Sequence, residues 1–418
     1  MKSDPPGSRP DPDRMLTPQE ALAAILRHAE PLGGEQVELS RSLGRVLRQS
    51  VRSGRVLPPW DNSAMDGYAV RAAEVAAGLP LPVRGVIAAG HPATVELAPG
   101  STMRIMTGAP LPKGADAVIM REEAQEQGGE VRFTAAASVG QHIRYAGEDI
   151  ALGEEILRAG ALLGPGEVGL LAALGRTLVE VYRQPRVAIV STGDELVPAD
   201  MQPGPGQIVN SNSHALSAQI LEAGGLPIVL PIVRDDRALL RQTFVEALRA
   251  DVMVSSGGVS VGEFDYVREV LAELGFVEEF ARVAMKPGKP LTFSRAPSGN
   301  LCFGLPGNPA SSMVSFELFV RPALRRLQGH GLAAVGRPLV PVQLATSVVP
   351  DRTRPHFARA RVSRSPEPGA PLLAHVPEKQ GSGMLRSMVG INALLHVPPG
   401  AASLPVGATL PATLLTVV

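Results

Sequence analysis

The chain has 418 residues, 44% of them hydrophobic, and its 40 basic and 40 acidic side chains balance to zero. That length exceeds one ordinary core and predicts two to four domains, while zero net charge and a pI near 7.1 exclude an electrostatic hold on nucleic acid or on an anionic membrane. One cysteine, Cys302, and eight histidines at no zinc-ligand spacing exclude a disulfide framework and structural zinc. No apolar run reaches membrane-spanning length and the N-terminus lacks a signal-peptide stretch, so a cytoplasmic protein is expected.

In chain order, residues 1–14 (MKSDPPGSRPDPDR) form a tail with too little apolar surface to order itself. Thr17 begins T-P-Q-E, a capping hydroxyl followed by proline and a glutamate three residues on, which predicts a helix with Leu22, Ile25 and Leu26 on its apolar face. From Val83 to Ala135, short β-rich pieces between glycine and proline turns predict a small mostly-β domain. GPGEVGLLAALG (Gly164 to Gly175) predicts a helix; its G-x-G-x-x-G spacing lacks a preceding strand, and Pro165 suits a helix start, so a dinucleotide fingerprint is rejected.

Between Arg186 and Gly329 the rhythm becomes strand, loop, helix, repeated. VAIVSTGDEL, PIVLPIVRDD, DVMVSSGGVS and NLCFGLPGNP each lead into an amphipathic helical segment. Continuous apolar strands alternating with helices predict an α/β doubly wound, mostly parallel sheet covered on both faces. After Gly336, VPVQLATSVV, HFARARVS, ALLHVPP and TLLTVV predict a last β-domain.

Ligands of such sheets gather beyond the carboxyl ends of the strands. Those ends carry Asp194 and Glu195; Asp235 and Asp236; Ser255, Ser256, Gly257, Gly258 and Ser260 running on to Asp265; and Pro306 to Pro309. The glycines can turn successive amides inward as an anion nest, with the serines adding hydroxyl donors; taken alone, a Gly-Gly pair is equally a tight turn. Two carboxylates about 4 Å apart repel by roughly 4 kcal/mol at an effective dielectric of 20, so acids edging an anion cradle call for a cation. Mg²⁺ shared between carboxylates and a phosphate supplies one. Each single acid is alternatively a helix N-cap, Asp235 or Asp236 for the helix near Ala238. The chain has five lysines, and Lys286 and Lys289 fall together in MKPGKP, as point charges suited to phosphate or oxyanion. In the N-terminal half, PPWDNSAMDGYAV and QHIRYAGEDI are loops too polar for core.

PPWDNSAMDGYAV, RIMTGAPLP, RYAGEDI, STGDEL, SSGGVSVGEFDY, KPGKP and GLPGNPASS, in this order, closely resemble the molybdopterin molybdenumtransferase family, the molybdenum insertases that include the E domain of gephyrin. The resemblance runs from about Thr17 to the C-terminus. It implies homodimers of four-domain subunits: an elongated N-terminal domain (15–50 and 147–182), a small mostly-β domain (51–146), the doubly wound molybdopterin-binding domain (183–330) and a β-barrel-like C-terminal domain (331–418). It places the active cleft between the small β-domain of one subunit and the doubly wound and C-terminal domains of the other. The implied reaction converts adenylylated molybdopterin and molybdate to molybdenum cofactor and AMP, assisted by Mg²⁺. Carried over by position, Asp66, Glu195, Asp235, Asp265 and Lys286 are catalytic. Thr107, Arg144, Asp149, Lys289, Pro306, Pro309 and Ser382 are likewise carried over as substrate-binding; the nest reading adds Gly257, Gly258 and Ser260, and the chemistry of the acids leads us to expect the metal on Asp235 and Asp265. Tyr145 and Ala146 stand where some relatives have basic residues, and Arg282 where some have lysine. The alternatives are a molybdopterin adenylyltransferase, an enzyme of that kind also being a candidate docking partner, or a non-catalytic peptide-binding scaffold of the gephyrin kind. No nucleic-acid or membrane partner is expected.

Overall fold

The computed structural model describes residues 14–91, 96–257, 266–365, 367 and 369–416. The tail expected at 1–14 lies, but for Arg14, outside them. The chain divides into two compact units, one of Met1–Val37, Gly44–Arg48 and Glu180–Val418, the other of Glu38–Leu43 and Gln49–Val179.

The first unit is built on a six-stranded sheet: β1 (Arg186–Ser191), β2 (Leu226–Val229), β3 (Val252–Ser256), β4 (Val277–Phe280), β5 (Thr292–Arg295) and β6 (Leu301–Leu305), in the order β2-β1-β3-β6-β5-β4. The four strands expected from the sequence are β1, β2, β3 and β6, and they pair in parallel. The structure adds β5 and β4, antiparallel at one edge. Their segments, VEEF and TFSR, alternate with charge and lack the continuous apolar run that marks a strand buried on both faces.

Period-two alternation divides each central strand between two cores. Val187, Ile189, Val252, Val254, Leu301, Phe303 and Leu305 pack on one face, whereas Ala188, Val190, Met253 and Cys302 pack on the other. The helix Ser211–Glu222 contributes Leu216 and Ile220 to the first core. The helices Arg237–Ala247 and Tyr266–Glu273 cover the second with Leu240, Phe244, Val267 and Val270. The N-terminal helix Pro18–Leu26 starts as its sequence predicts: Thr17 Oγ1 accepts from Glu20 N at 3.2 Å and Glu20 Oε2 accepts from Thr17 N at 2.8 Å. Its Ala21, Ala24 and Ile25 join the first core.

A closed barrel follows, its strands in the order Leu339–Leu344, Leu373–His375, His356–Ser363, Ala393–Val397 and Thr409–Leu414. The second unit holds another six-stranded sheet, ordered Ala117–Met120, Gly67–Val70, Thr102–Ile105, Pro80–Ile87, Glu130–Phe133 and Ala124–Gln127. It also holds the helix Pro165–Ala173, whose first turn is closed by Gly164 N donating to Glu167 Oε2 at 2.9 Å, as a helix start and not a dinucleotide turn. Among the described residues no helix is long and apolar enough to cross a membrane.

Two buried histidines make the fold acid-sensitive. His330, 4% exposed, and His356, 6% exposed, are each pushed down from 6.5 to about 4 by burial first and by cationic neighbours second, Arg325 and Arg321 beside His330 and Lys286 and Arg359 beside His356. Asp351 pulls weakly the other way on His356. Above pH 6.5 both folded and unfolded chains carry neutral imidazoles. As pH falls toward 4 only the unfolded chain takes up the protons, so folding loses on the order of 3 kcal/mol per histidine. Thermal unfolding followed from pH 7 to pH 4.5 is expected to show a falling midpoint, with a shallower fall in His330→Gln; an identical fall in both proteins would remove His330 from the account.

Candidate active site

Strand β1 has β2 on one side and β3 on the other, so the winding direction reverses between β1 and β3. A crevice opens beyond the carboxyl ends of the strands at such a reversal. Here it is a cavity of about 600 Å³ lined, among others, by Thr192 and Glu195 after β1, Ser256 and Gly257 after β3, and Pro306 and Pro309 after β6. Gly257 is required there: its φ is +96°, and a Cβ would sit 2.9 Å from the Thr192 carbonyl oxygen. Gly258, Ser260 and Asp265 lie outside the described residues.

Glu195 lines this crevice, and Asp194, the residue before it, meets Asp235. Asp235 N donates to Asp194 Oδ1 at 3.4 Å, and the Asp235 carboxyl is raised above the ordinary carboxylate range, first by burial and then by the negative charges of Asp194 and Glu195. Asp236 takes the capping role instead, accepting from Leu239 N at 2.9 Å at the start of the helix Arg237–Ala247. Oxygen donors of this kind fit a hard divalent cation. Among the described residues no three acidic, histidine or cysteine side chains converge to hold a metal.

The C-terminal loop closes one side. Asn308 Nδ2 donates to Ser382 Oγ at 3.2 Å, Ala310 N donates to the Ser382 carbonyl at 3.1 Å, and Gly383 lines the cavity. Pro290 brings the KPGKP turn to the same wall, with Lys289 exposed beside it. Lys286 Nζ lies 3.7 Å from Asp351 Oδ2, and the Lys286 carbonyl accepts from Phe357 N at 2.7 Å.

Two residues escaped the sequence reading: Asn212, which lines the cavity, and Arg359, which holds the loop of Ser382 from behind. Arg359, fully buried at 0% exposure, donates through Nη2 to the Gly381 carbonyl at 3.1 Å, while its Nε and Nη1 have no partner among the described residues. It lies in HFARARVS, read from sequence only as a strand; the arginine between two alanines was the available signal. Asn212, whose Nδ2 donates at 2.8 Å both to Ser256 Oγ and to the Gly307 carbonyl, stands in the helix after the STGDEL strand. Its sequence context is an ordinary polar helix start.

The remaining nominated residues belong to the second unit. Asp66 Oδ1 accepts from Thr107 N at 2.7 Å and from Thr107 Oγ1 at 2.9 Å, and these bonds hold its carboxyl below the usual range. Arg144 and Asp149 line a cavity of about 780 Å³ with Pro58, Pro59, Asn62 and Glu148. Ala146 N donates to Asp61 Oδ1 at 2.8 Å, which ties the RYAGED turn to the WDNSAMDG loop, and Tyr145 N donates to Glu148 Oε2 at 2.8 Å within the turn; the Arg144 guanidinium has no ion pair among the described residues.

Residues 16–175 match the MoeA N-terminal region (domain I and II), 188–326 a probable molybdopterin binding domain, and 341–415 the MoeA C-terminal region (domain IV). A pocket at the reversal point of such a molybdopterin-binding sheet, with the barrel that follows it, defines a transferase of molybdenum cofactor biosynthesis. The chain belongs to the molybdopterin molybdenumtransferase family. It is 43% identical over 303 residues to the molybdopterin molybdenumtransferase of a Nostoc species, covering 71% of this chain and 70% of that one. It is 35% identical over 403 residues to molybdopterin molybdenumtransferase 2 of Mycobacterium tuberculosis, covering 94% and 97%. The molybdopterin biosynthesis MoeA protein of Pyrococcus horikosii has a similar structure, with a TM-score of 0.80 at 31% identity over 97% of this chain and 100% of that one.

Proposed function

We propose that the protein inserts molybdate into adenylylated molybdopterin and releases AMP, as a cytoplasmic homodimer that uses Mg²⁺. The observation that carries this reading is the cavity beyond β1, β3 and β6, with Glu195, Ser256 and Gly257 on its wall and Asp194, the residue before Glu195, accepting from Asp235 N. Carboxylates in mutual repulsion beside a crevice of about 600 Å³ are ready to share a cation with the pyrophosphate of a substrate bound there.

Asp235, with Asp265, would hold the Mg²⁺, which when bound polarises the pyrophosphate and neutralises its charge. Glu195, on the pocket wall, orients the substrate or the attacking water. Gly257 and the serines beside it present donors to the phosphate, and Gly258 and Ser260, outside the described residues, keep their proposed substrate-binding role. Lys286 and Lys289 offset the charge of the molybdate oxyanion, Ser382, Pro306 and Pro309 shape the wall against it, and Arg359 steadies the loop of Ser382 through its bond to the Gly381 carbonyl. Asp66, Thr107, Arg144 and Asp149 act on the same substrate from the second unit of a neighbouring copy, with Asp66 pre-oriented by its two bonds from Thr107.

The test mixes the protein with adenylylated molybdopterin, molybdate and Mg²⁺ and measures AMP and metal-loaded pterin. The expected result is AMP release that requires both molybdate and Mg²⁺. Pyrophosphate produced from ATP and molybdopterin, or no turnover at all, would replace this reading with the adenylyltransferase or the scaffold. Light scattering at micromolar concentration checks the dimer.

A further inference from the structure

We propose that Asn212 determines specificity in the doubly wound pocket: its side-chain oxygen, beside the Ser256 hydroxyl, reads the amino-bearing edge of the substrate's heterocycle. This deepens the proposed reaction and rests on it, since the substrate it names carries two such rings, a pterin and an adenine.

Asn212 lies in the first turn of the helix Ser211–Glu222 and lines the cavity. Its amide nitrogen is committed at 2.8 Å to Ser256 Oγ and at 2.8 Å to the Gly307 carbonyl. A backbone carbonyl only accepts, so the amino end of the side chain must face Gly307 and the orientation of the amide is decided by chemistry. Both amide hydrogens are then used. Oδ1 accepts nothing from the described residues and keeps its lone pairs for a ligand.

The neighbouring hydroxyls supply the opposite polarity. Ser256, 3% exposed, accepts from Asn212 and so has its own proton to donate. Thr192 Oγ1, on a residue 4% exposed that lines the same cavity, has no partner among the described residues. Buried hydroxyls left unmatched are costly, and a ligand that accepts from them relieves that cost. Leu196, Pro290, Pro306 and Pro309 add apolar walls suited to a flat ring.

An amino group next to a ring nitrogen offers a donor and an acceptor side by side, the complement of Asn212 Oδ1 and the Ser256 hydroxyl. Pterin and adenine both present this edge, whereas phosphate and molybdate oxygens would meet Oδ1 with repulsion. Asn212 is bonded at once to the end of β3 and to the turn after β6, so its oxygen cannot swing aside to accept an analogue lacking the amino group. A site of that kind discriminates strongly, because the wrong ligand leaves its polar groups unpaired.

The experiment is calorimetric titration of the full-length protein with pterin and with its dioxo analogue, and separately with AMP and with inosine monophosphate, each pair differing by amino for oxygen. In the wild type one pair is expected to discriminate by about tenfold or more in favour of the amino compound, and that pair identifies the ring. Asn212→Ala is expected to bring the ratio close to one while changing affinity for the oxo compound little; a merely structural role would weaken both members alike. Ser256→Ala, which removes only a hydroxyl, gives the same readout if Asn212→Ala unfolds. A preference that survives both substitutions, or no preference in the wild type, overturns the inference. AMP release run alongside separates the two claims: release without amino preference leaves the reaction standing, and absence of release removes the reaction itself.

Discussion

Asp235→Asn is expected to lower molybdate-dependent AMP release by about two to three orders of magnitude while leaving the unfolding temperature unchanged or raised. The Asp235 carboxyl is raised above the ordinary range by desolvation and by Asp194 and Glu195, yet the residue is exposed, so solvent screens its charge and a neutral amide of the same shape disturbs the fold little. The same charge is what a divalent cation and a pyrophosphate need. Steady-state rates across a Mg²⁺ titration, together with thermal unfolding, check both halves. A rate within a few-fold of wild type, or a midpoint lowered by several degrees, would mean that Asp235 is a structural acid.

Arg359→Met should behave in parallel on the cationic side. Arg359 is fully buried, forms no ion pair among the described residues, and leaves Nε and Nη1 without partners. An apolar side chain of similar length removes that desolvation but also the Nη2 bond to the Gly381 carbonyl, so stability is expected to change by no more than about 1 kcal/mol, the Gln380 contacts running through the Arg359 backbone and surviving. With that bond gone the loop carrying Ser382 and Gly383 is held less firmly, and the rate at limiting molybdate is expected to fall about tenfold and to recover partly in Arg359→Lys, which restores a donor without the fork. A variant that loses stability, or keeps its molybdate dependence, would make Arg359 a packing residue.

Both variants illustrate a trade between stability and activity. Asp235 stands beside Asp194, next in sequence to Glu195 on the crevice wall, and Arg359 beneath the loop of Ser382, and the proposed substrates supply counter-charges for such groups. The thermal stability of the wild type should accordingly respond to molybdate and Mg²⁺ more than that of either variant.

The sequence by itself determined the parts of this protein that depend on neighbours along the chain. The capping box at Thr17, the helix begun by Pro165, the four apolar strands and the glycine that alone tolerates φ near +96° at position 257 follow from local sterics and from periodicity. The loops ending those strands were likewise legible as one site, because a parallel sheet delivers them to the same edge. Tertiary structure alone decided the rest. The edge strands β4 and β5 form because β6 offers them an unpaired side, against a weak local pattern. Asp236 and not Asp235 caps its helix, a choice set by the backbone turn after Val233. Asn212 reaches the site, and Arg359 the loop that carries Ser382, through bonds to residues 95 and 22 positions away in the chain, and no local pattern encodes such a distance. Spacing and residue type register which groups can do chemistry; the charge and hydrogen-bond partners each one lacks become visible only when the strands have brought them together.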